Sequence, residues 1–186
     1  MPQDAVRMED HMLVASFKNE QLRDAAFTKL VRKYQERLYW HIRRMVVVHD
    51  DANDILQNVF IKVWRGLGDF REEANLYTWL YRIATNETLT WIEQQKKHNS
   101  VSLSGEENIF AERLTAQKDF SPNKIEWKLQ KAILSLPEKQ RIVFNLRYFD
   151  EMPYDQMAEL LDTSAGALKA SYHHAVKKVE AMLLNE

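Results

Sequence analysis

The sequence contains no cysteine, which excludes disulfides, thiolate metal sites and cysteine nucleophiles. Glycine and proline are also scarce, four of each in 186 residues. Sheets and their hairpins use more of both, so the deficit points to an all-α chain. No apolar run approaches membrane-spanning length, and the opening MPQDAVRMEDHML lacks a signal-peptide pattern; a cytoplasmic protein is expected. Excess charge of either sign is missing too. Through Asn99 there are fifteen Lys/Arg against fourteen Asp/Glu, over Ser100–Asn123 two against four, and over Lys124–Glu186 nine against nine. A protein that grips DNA unaided usually carries a marked basic excess, because phosphate neutralisation supplies most non-specific affinity. If this chain meets nucleic acid, a larger assembly is expected to supply the positive charge.

Catalytic signatures are missing as well: the chain has no Gly-rich phosphate loop, nucleophile elbow or metal-ligand spacing. His173 and His174 are adjacent, so on a helix they point about 100° apart, which suits joint ligation poorly. Asp50-Asp51 reads as a helix start rather than an acid–base pair. Neither an enzyme nor a cofactor or metal is expected.

What the chain does have is helical periodicity. A short helical pattern runs from Met8 to about Phe17. A long one runs from Ala25 to about Val47, with Phe27, Leu30, Val31, Tyr34, Leu38, Ile42 and Met45 on one stripe. His49-Asp50-Asp51 opens a third helix with acids where the helix dipole favours them. Its buried stripe is Ala52, Leu56, Val59, Phe60, Val63 and Leu67. Its outward stripe, Asp54, Asn58, Ile61 and Arg65 with Gln57 beside it, suits a protein-docking surface. Gly66 and Gly68 end this helix.

The stretch Phe70–Trp91 combines aromatics, basic residues and a helical period. Leu76, Trp79, Leu80, Ile83, Ala84 and Trp91 form the inward face. Thr78, Tyr81, Arg82, Thr85, Asn86 and Leu89 form an outward one of hydroxyl, phenol, guanidinium and amide groups. Such a face can read base edges and stack on unpaired bases. The polar loop Phe70–Asn75 just upstream is a place to hold a protruding base.

His98–Asn123 is polar, net acidic and weakly patterned, and is read as a linker with a short helix, Asn108–Leu114, behind a Ser104…Glu107 capping box. Ser121-Pro122 then starts a helix carrying Ile125, Leu129, Ile133 and Leu136. Ser135–Glu138 starts the next, with Ile142, Val143, Leu146 and Phe149 apolar. After a turn at Asp150–Pro153 come a helix at Tyr154–Leu161, a tight turn, and a helix capped by Ser164 that runs to about Leu183. Its inward residues are Leu168, Tyr172, Ala175, Val179 and Met182. Two short helices joined by such a turn describe a helix-turn-helix or a plain αα-hairpin. Small residues at Ala165, Gly166, Ala167 and Ala170 favour entry into a major groove, and Lys169, His173, His174 and Lys177 lie outward. An autonomous helix-turn-helix regulator and a helical protein adaptor are the rival readings.

Three motifs in order resemble the extracytoplasmic-function (group IV) RNA polymerase sigma factors. Asp51–Trp64 (DANDILQNVFIKVW) is similar to the family's polymerase-docking helix. Phe70-Arg71 with Thr78–Asn86 (TWLYRIATN) resembles its promoter-melting segment. Leu136–Arg141 (LPEKQR), Tyr154–Leu161 (YDQMAELL) and Gly166–Lys169 (GALK) are similar to its C-terminal helix-turn-helix. The resemblance implies two small helical domains, residues 1–97 and 124–186, joined by a linker at 98–123 that threads core polymerase. It implies docking of Asp54, Gln57, Asn58, Ile61 and Arg65 on the β′ clamp helices, and a second contact with the β flap. The promoter −10 element would meet Arg71, Asn75, Leu76, Tyr77, Thr78, Trp79, Arg82 and Asn86, with the loop Arg71–Leu76 holding a flipped base beside Arg82 and Asn86. The −35 element would meet Gly166, Ala167, Lys169, Ala170, His173, His174 and Lys177. An anti-sigma factor is an implied partner. The recognition helix departs from the family pattern: Ser171 and His174 stand where the family usually has Arg, and Ala167 where it has Thr. The expected weight therefore shifts to Lys169, His173, His174 and Lys177.

Overall fold

The computed structural model describes residues 3–46, 48–71, 75–99 and 124–184, and among them every regular element is helical. In chain order these are α1 (Gln3–Lys18), α2 (Arg23–Val46), α3 (His49–Gly66), a 3₁₀ turn (Leu67–Asp69), α4 (Leu76–Asn99), α5 (Lys124–Leu134), α6 (Glu138–Tyr148), α7 (Tyr154–Leu161) and α8 (Ala165–Leu184). The capping box at Ser104, the helix Asn108–Leu114 and the Ser121-Pro122 start lie outside the described residues.

The expected stripes of α2 and α3 are the buried ones, with a small rotation. Leu30, Tyr34, Leu38, Ile42 and Met45 of α2 pack against Ala52, Ile55, Val59 and Val63 of α3. Phe27, Val31, Leu56 and Phe60, expected in the core, are only half-buried and form its edge. Gly66 ends α3 under the Trp79 ring, where an added Cβ would stand 3.3 Å from the indole. A side chain there would press on the indole, and glycine avoids that contact.

Polar contacts tie α1 down. The Tyr34 hydroxyl lies 2.7 Å from both oxygens of Asp10, and the Lys33 ammonium 2.8 Å from Asp10 and 2.7 Å from Glu9. Burial holds the phenol well above its ordinary range, and the Asp10 carboxylate pushes it further, so Tyr34 is a lasting donor. Burial pulls the Lys33 ammonium down, but its hydrogen bonds to Asp10 and Glu9 outweigh this and leave it above the usual lysine value. Tyr34→Phe, which leaves the buried Asp10 with one fewer donor, is expected to lower unfolding stability by about 1–3 kcal/mol. A urea melt at constant m-value measures it.

The C-terminal helices also follow the sequence closely. Asp162 ends α7 in the left-handed region at φ 50°. The Ser164 hydroxyl accepts the Ala167 N–H at 3.2 Å to cap α8. Ala132, Ile133, Leu136 and Phe144 form a small core with Ala175 and Val179 of α8.

The two halves are not separate. The larger apolar cluster runs from α1–α4 straight into Ile142, Val143 and Leu146 of α6, Met157 and Leu160 of α7, and Leu168 of α8. Helix α4 is therefore packed between α2 and α3 on one side and α7 on the other. That corrects the expected orientation of α4. Thr78, Tyr81 and Thr85, read as outward, are each 1% exposed, because α2 and the C-terminal half cover the face they share.

Candidate nucleic-acid and polymerase interfaces

Three surfaces carry the residues singled out from the sequence. On α3, Asp54, Gln57, Asn58, Ile61 and Arg65 are all exposed, Ile61 at 48%. Gln57, Ile61 and Arg65 border a groove of about 650 Å³ between α2 and α3, lined also by Phe27, Val31, Gln35, Leu56, Phe60 and Trp64. Its walls are ring-packed: the Phe27 and Trp64 rings meet edge-on at 4.9 Å, and Phe17 packs on Trp64 at 5.1 Å. An apolar trough with an amide and a guanidinium on its rim has the makeup of a protein interface.

The second surface surrounds the start of α4. Asn75 is half-buried, and its side-chain oxygen accepts the Tyr77 N–H at 2.9 Å, so it caps the helix. Leu76 and Thr78 are buried; the Thr78 hydroxyl has no hydrogen-bond partner among the described residues. Trp79 is half-buried and rests on Phe70 with ring centroids 5.1 Å apart. Tyr77 is half-buried and stacks near Tyr81 at 4.4 Å. Arg71, Arg82 and Asn86 are exposed, but the Arg82 guanidinium donates to the Glu159 carbonyl of α7. Lys18 donates to the Phe70 carbonyl at 3.3 Å and anchors the loop's entry. Residues 72–74 of that loop lie outside the described residues.

The third surface is α8. Gly166, Ala167, Lys169, Ala170, His173, His174 and Lys177 are all exposed, as expected of a recognition helix. The Lys169 ammonium and the Arg147 guanidinium lie over the Tyr154 ring at 5.7 and 5.1 Å, so a cationic edge continues from α8 onto α6. Among the described residues no group of His, Asp and Glu could hold a metal ion, and no helix is long and apolar enough to cross a membrane.

The contacts that join the halves lie mostly outside the residues singled out above. Asp150, read as a turn residue, lies 3.1 Å from His41 Nδ1, 3.2 Å from Arg44 and 3.3 Å from the Tyr81 hydroxyl. Burial, then the Asp150 charge, raise the Tyr81 phenol far above its ordinary range, so it stays a donor. A clue was present in the sequence. His41 lies beside the Leu38–Ile42–Met45 stripe, and a histidine on a core stripe needs buried partners.

Comparison with known proteins agrees with this geometry. Residues 30–98 match the family model for Sigma-70 region 2, and residues 126–179 that for Sigma-70 region 4. The chain is 32% identical over 166 residues to the RNA polymerase sigma-H factor of Pseudomonas aeruginosa, covering 85% of this chain and 86% of that one. It is 29% identical to the ECF sigma factor SigW of Bacillus subtilis, covering 85% and 89% of the two chains. It is also 29% identical to the ECF sigma-E factor of Escherichia coli, covering 83% and 85%. Two solved structures share the fold. One is CnrH in complex with the cytosolic domain of CnrY (TM-score 0.69, 20% identity, 96% of this chain and 99% of that one). The other is the sigma factor RpoE in complex with the anti-sigma factor NepR from Bartonella quintana (TM-score 0.67, 19% identity, 84% and 96%). With both sigma regions in order on one all-helical chain, this protein belongs to the extracytoplasmic-function class of RNA polymerase sigma factors.

Proposed function

We infer that this sigma factor, which directs core RNA polymerase to promoters, divides the work among its three surfaces. The α3 stripe Asp54, Gln57, Asn58, Ile61 and Arg65 with its apolar groove docks on the β′ clamp helices. The loop from Arg71 and the α4 residues Arg82 and Asn86 take the −10 strand. Leu76, Thr78 and Trp79 hold that site together from beneath rather than touching bases, because each is largely covered. Asn75 positions it by capping α4, and Tyr77 lies at its edge. Helix α8 reads the −35 element through Lys169, His173, His174 and Lys177, with Gly166, Ala167 and Ala170 permitting close approach. Residues 1–97 and 124–186 are the two working domains, 98–123 links them, and the C-terminal one also meets the β flap. The protein acts in the cytoplasm, catalyses nothing itself, and is restrained by an anti-sigma factor, as the second solved relative is paired with one.

One observation carries this reading: the chain joins an exposed docking stripe on α3 to an exposed recognition helix on α8, each within its matching family region. In-vitro transcription with core polymerase on a library of promoter fragments tests it. Open complexes are expected only when this chain is added. Asn86→Ala is then expected to relax preference at the −10 element and Lys169→Ala at the −35 element, each by roughly 5- to 100-fold against the best site. Loss of folding in both variants, seen by circular dichroism, would discard the residue roles.

A further inference from the structure

The contact between the halves has the makeup of an anion site. Three donors of the N-terminal half, His41, Arg44 and Tyr81, converge on the Asp150 carboxylate, whose side chain is only 6% exposed. His41 and Tyr81 are held in place independently of it. His41 is wholly buried, its second ring nitrogen lies 3.0 Å from the Thr85 hydroxyl, and the tautomer with its proton on Nδ1 serves both contacts. The Tyr81 ring packs against the His41 ring at 4.9 Å and the Tyr77 ring at 4.4 Å. A carboxylate and a phosphate ask for the same donors, a guanidinium with neutral N–H and O–H groups beside it.

The site opens into a cleft of about 470 Å³ that continues past Arg37, Trp40 and Tyr77. Trp40 is half exposed there, and rings beside a cation are what unpaired nucleotides bind. Glu36 and Glu151 also border the cleft; Glu151 belongs to the same segment as Asp150 and would leave with it. The site shares α4 with Arg82 and Asn86.

We propose that the His41–Arg44–Tyr81 pocket accepts a backbone phosphate of the melted promoter strand, and that Asp150 plugs it while the two halves are closed. The proposal rests on the sigma-factor reading for the identity of the strand. The plug also occupies Arg44 from its other side, since the guanidinium lies 4.3 Å from the centre of the neighbouring Phe149 ring. Closure thus replaces a nucleic-acid phosphate by the protein's own carboxylate, and a base by its own phenyl ring.

Binding of the full chain to fluorescein-labelled oligothymidylate over a salt series tests this. Asp150→Ala is expected to tighten binding about tenfold by emptying the site, with Asp150→Asn as the second variant should the first fail to fold. Adding Arg44→Ala to Asp150→Ala is expected to undo that gain and to lower the slope of log K against log salt by about 0.7, one phosphate of a single strand. A contact that merely fastens the halves predicts the reverse, with the double variant binding as tightly as Asp150→Ala and with the same slope. That result, or unchanged binding by both Asp150 variants, overturns the proposal. Promoter opening with core polymerase is scored separately on the wild-type chain. No opening there strikes the sigma-factor reading, whereas opening with unaltered strand binding by the variants strikes the plug.

Discussion

Locking the closed form is expected to abolish promoter opening. Lys96 of α4 and Glu138 of α6 pair across the halves at 3.3 Å, and neither belongs to the three surfaces. The chain has no cysteine, so Lys96→Cys with Glu138→Cys gives two unique attachment points for a short, reducible bismaleimide. The reason for the expected loss is geometric. Elements about 25 base pairs apart lie roughly 85 Å apart along B-form DNA at about 3.4 Å per base pair. A compact chain of this size has a radius of gyration of about 16 Å. It cannot touch both elements while α4 and α7 are packed together. The 24 residues at 100–123 would reach roughly 80 Å at full extension, so the covalent chain itself permits opening.

The closed form is held by the Asp150 cluster and the Arg82–Glu159 contact over a shared apolar seam. The crosslinked chain is expected to form open complexes roughly 100-fold less than the same variant capped with N-ethylmaleimide, because the competent population is removed from the equilibrium. Cleaving the bridge with reductant should restore it. Equal rates before and after cleavage would show that opening is not required.

The second large effect concerns docking. Ile61→Glu is expected to weaken binding to core polymerase by roughly 30-fold or more, the loss of an interface hot spot of about 2 kcal/mol. Ile61 sits half exposed on the lip of the Phe27–Trp64 groove, so a charge there is hydrated in the unbound chain and leaves its fold unchanged. Once a partner covers the groove, the same carboxylate loses its water and has no cation in its place except Arg65 at the rim. Fluorescence anisotropy with labelled chain and core polymerase reads the affinity, and a thermal melt reads the fold. Glu20→Lys, exposed and outside the groove lining, serves as the charge-changing control. Unaltered affinity in Ile61→Glu with an intact melt would move the docking surface elsewhere.

The ends of the helices were legible because they are set by neighbours in sequence. Helix α7 occupies Tyr154–Leu161 as the pattern predicts, Ser164 caps α8, and the acids after His49 open α3. The faces of α3 and α8 that remain exposed were legible for a similar reason. Each helix meets one apolar neighbourhood, so a single stripe defines both its buried and its exposed side. Helix α4 broke that rule. With α2 and α3 on one flank and α7 on the other, its buried arc takes in Thr78, Tyr81 and Thr85, whose polar side chains read as an outward face.

By itself, then, the sequence determined an all-helical fold, its punctuation, and which faces of α3 and α8 stay exposed, since periodicity and capping act within a few residues. Only the tertiary structure decided that the halves close on each other and that Asp150 enters a donor site on α2 and α4. That carboxylate meets His41 across 109 positions of chain. No local pattern encodes such a meeting; it arises where two separately formed surfaces happen to match in shape and charge.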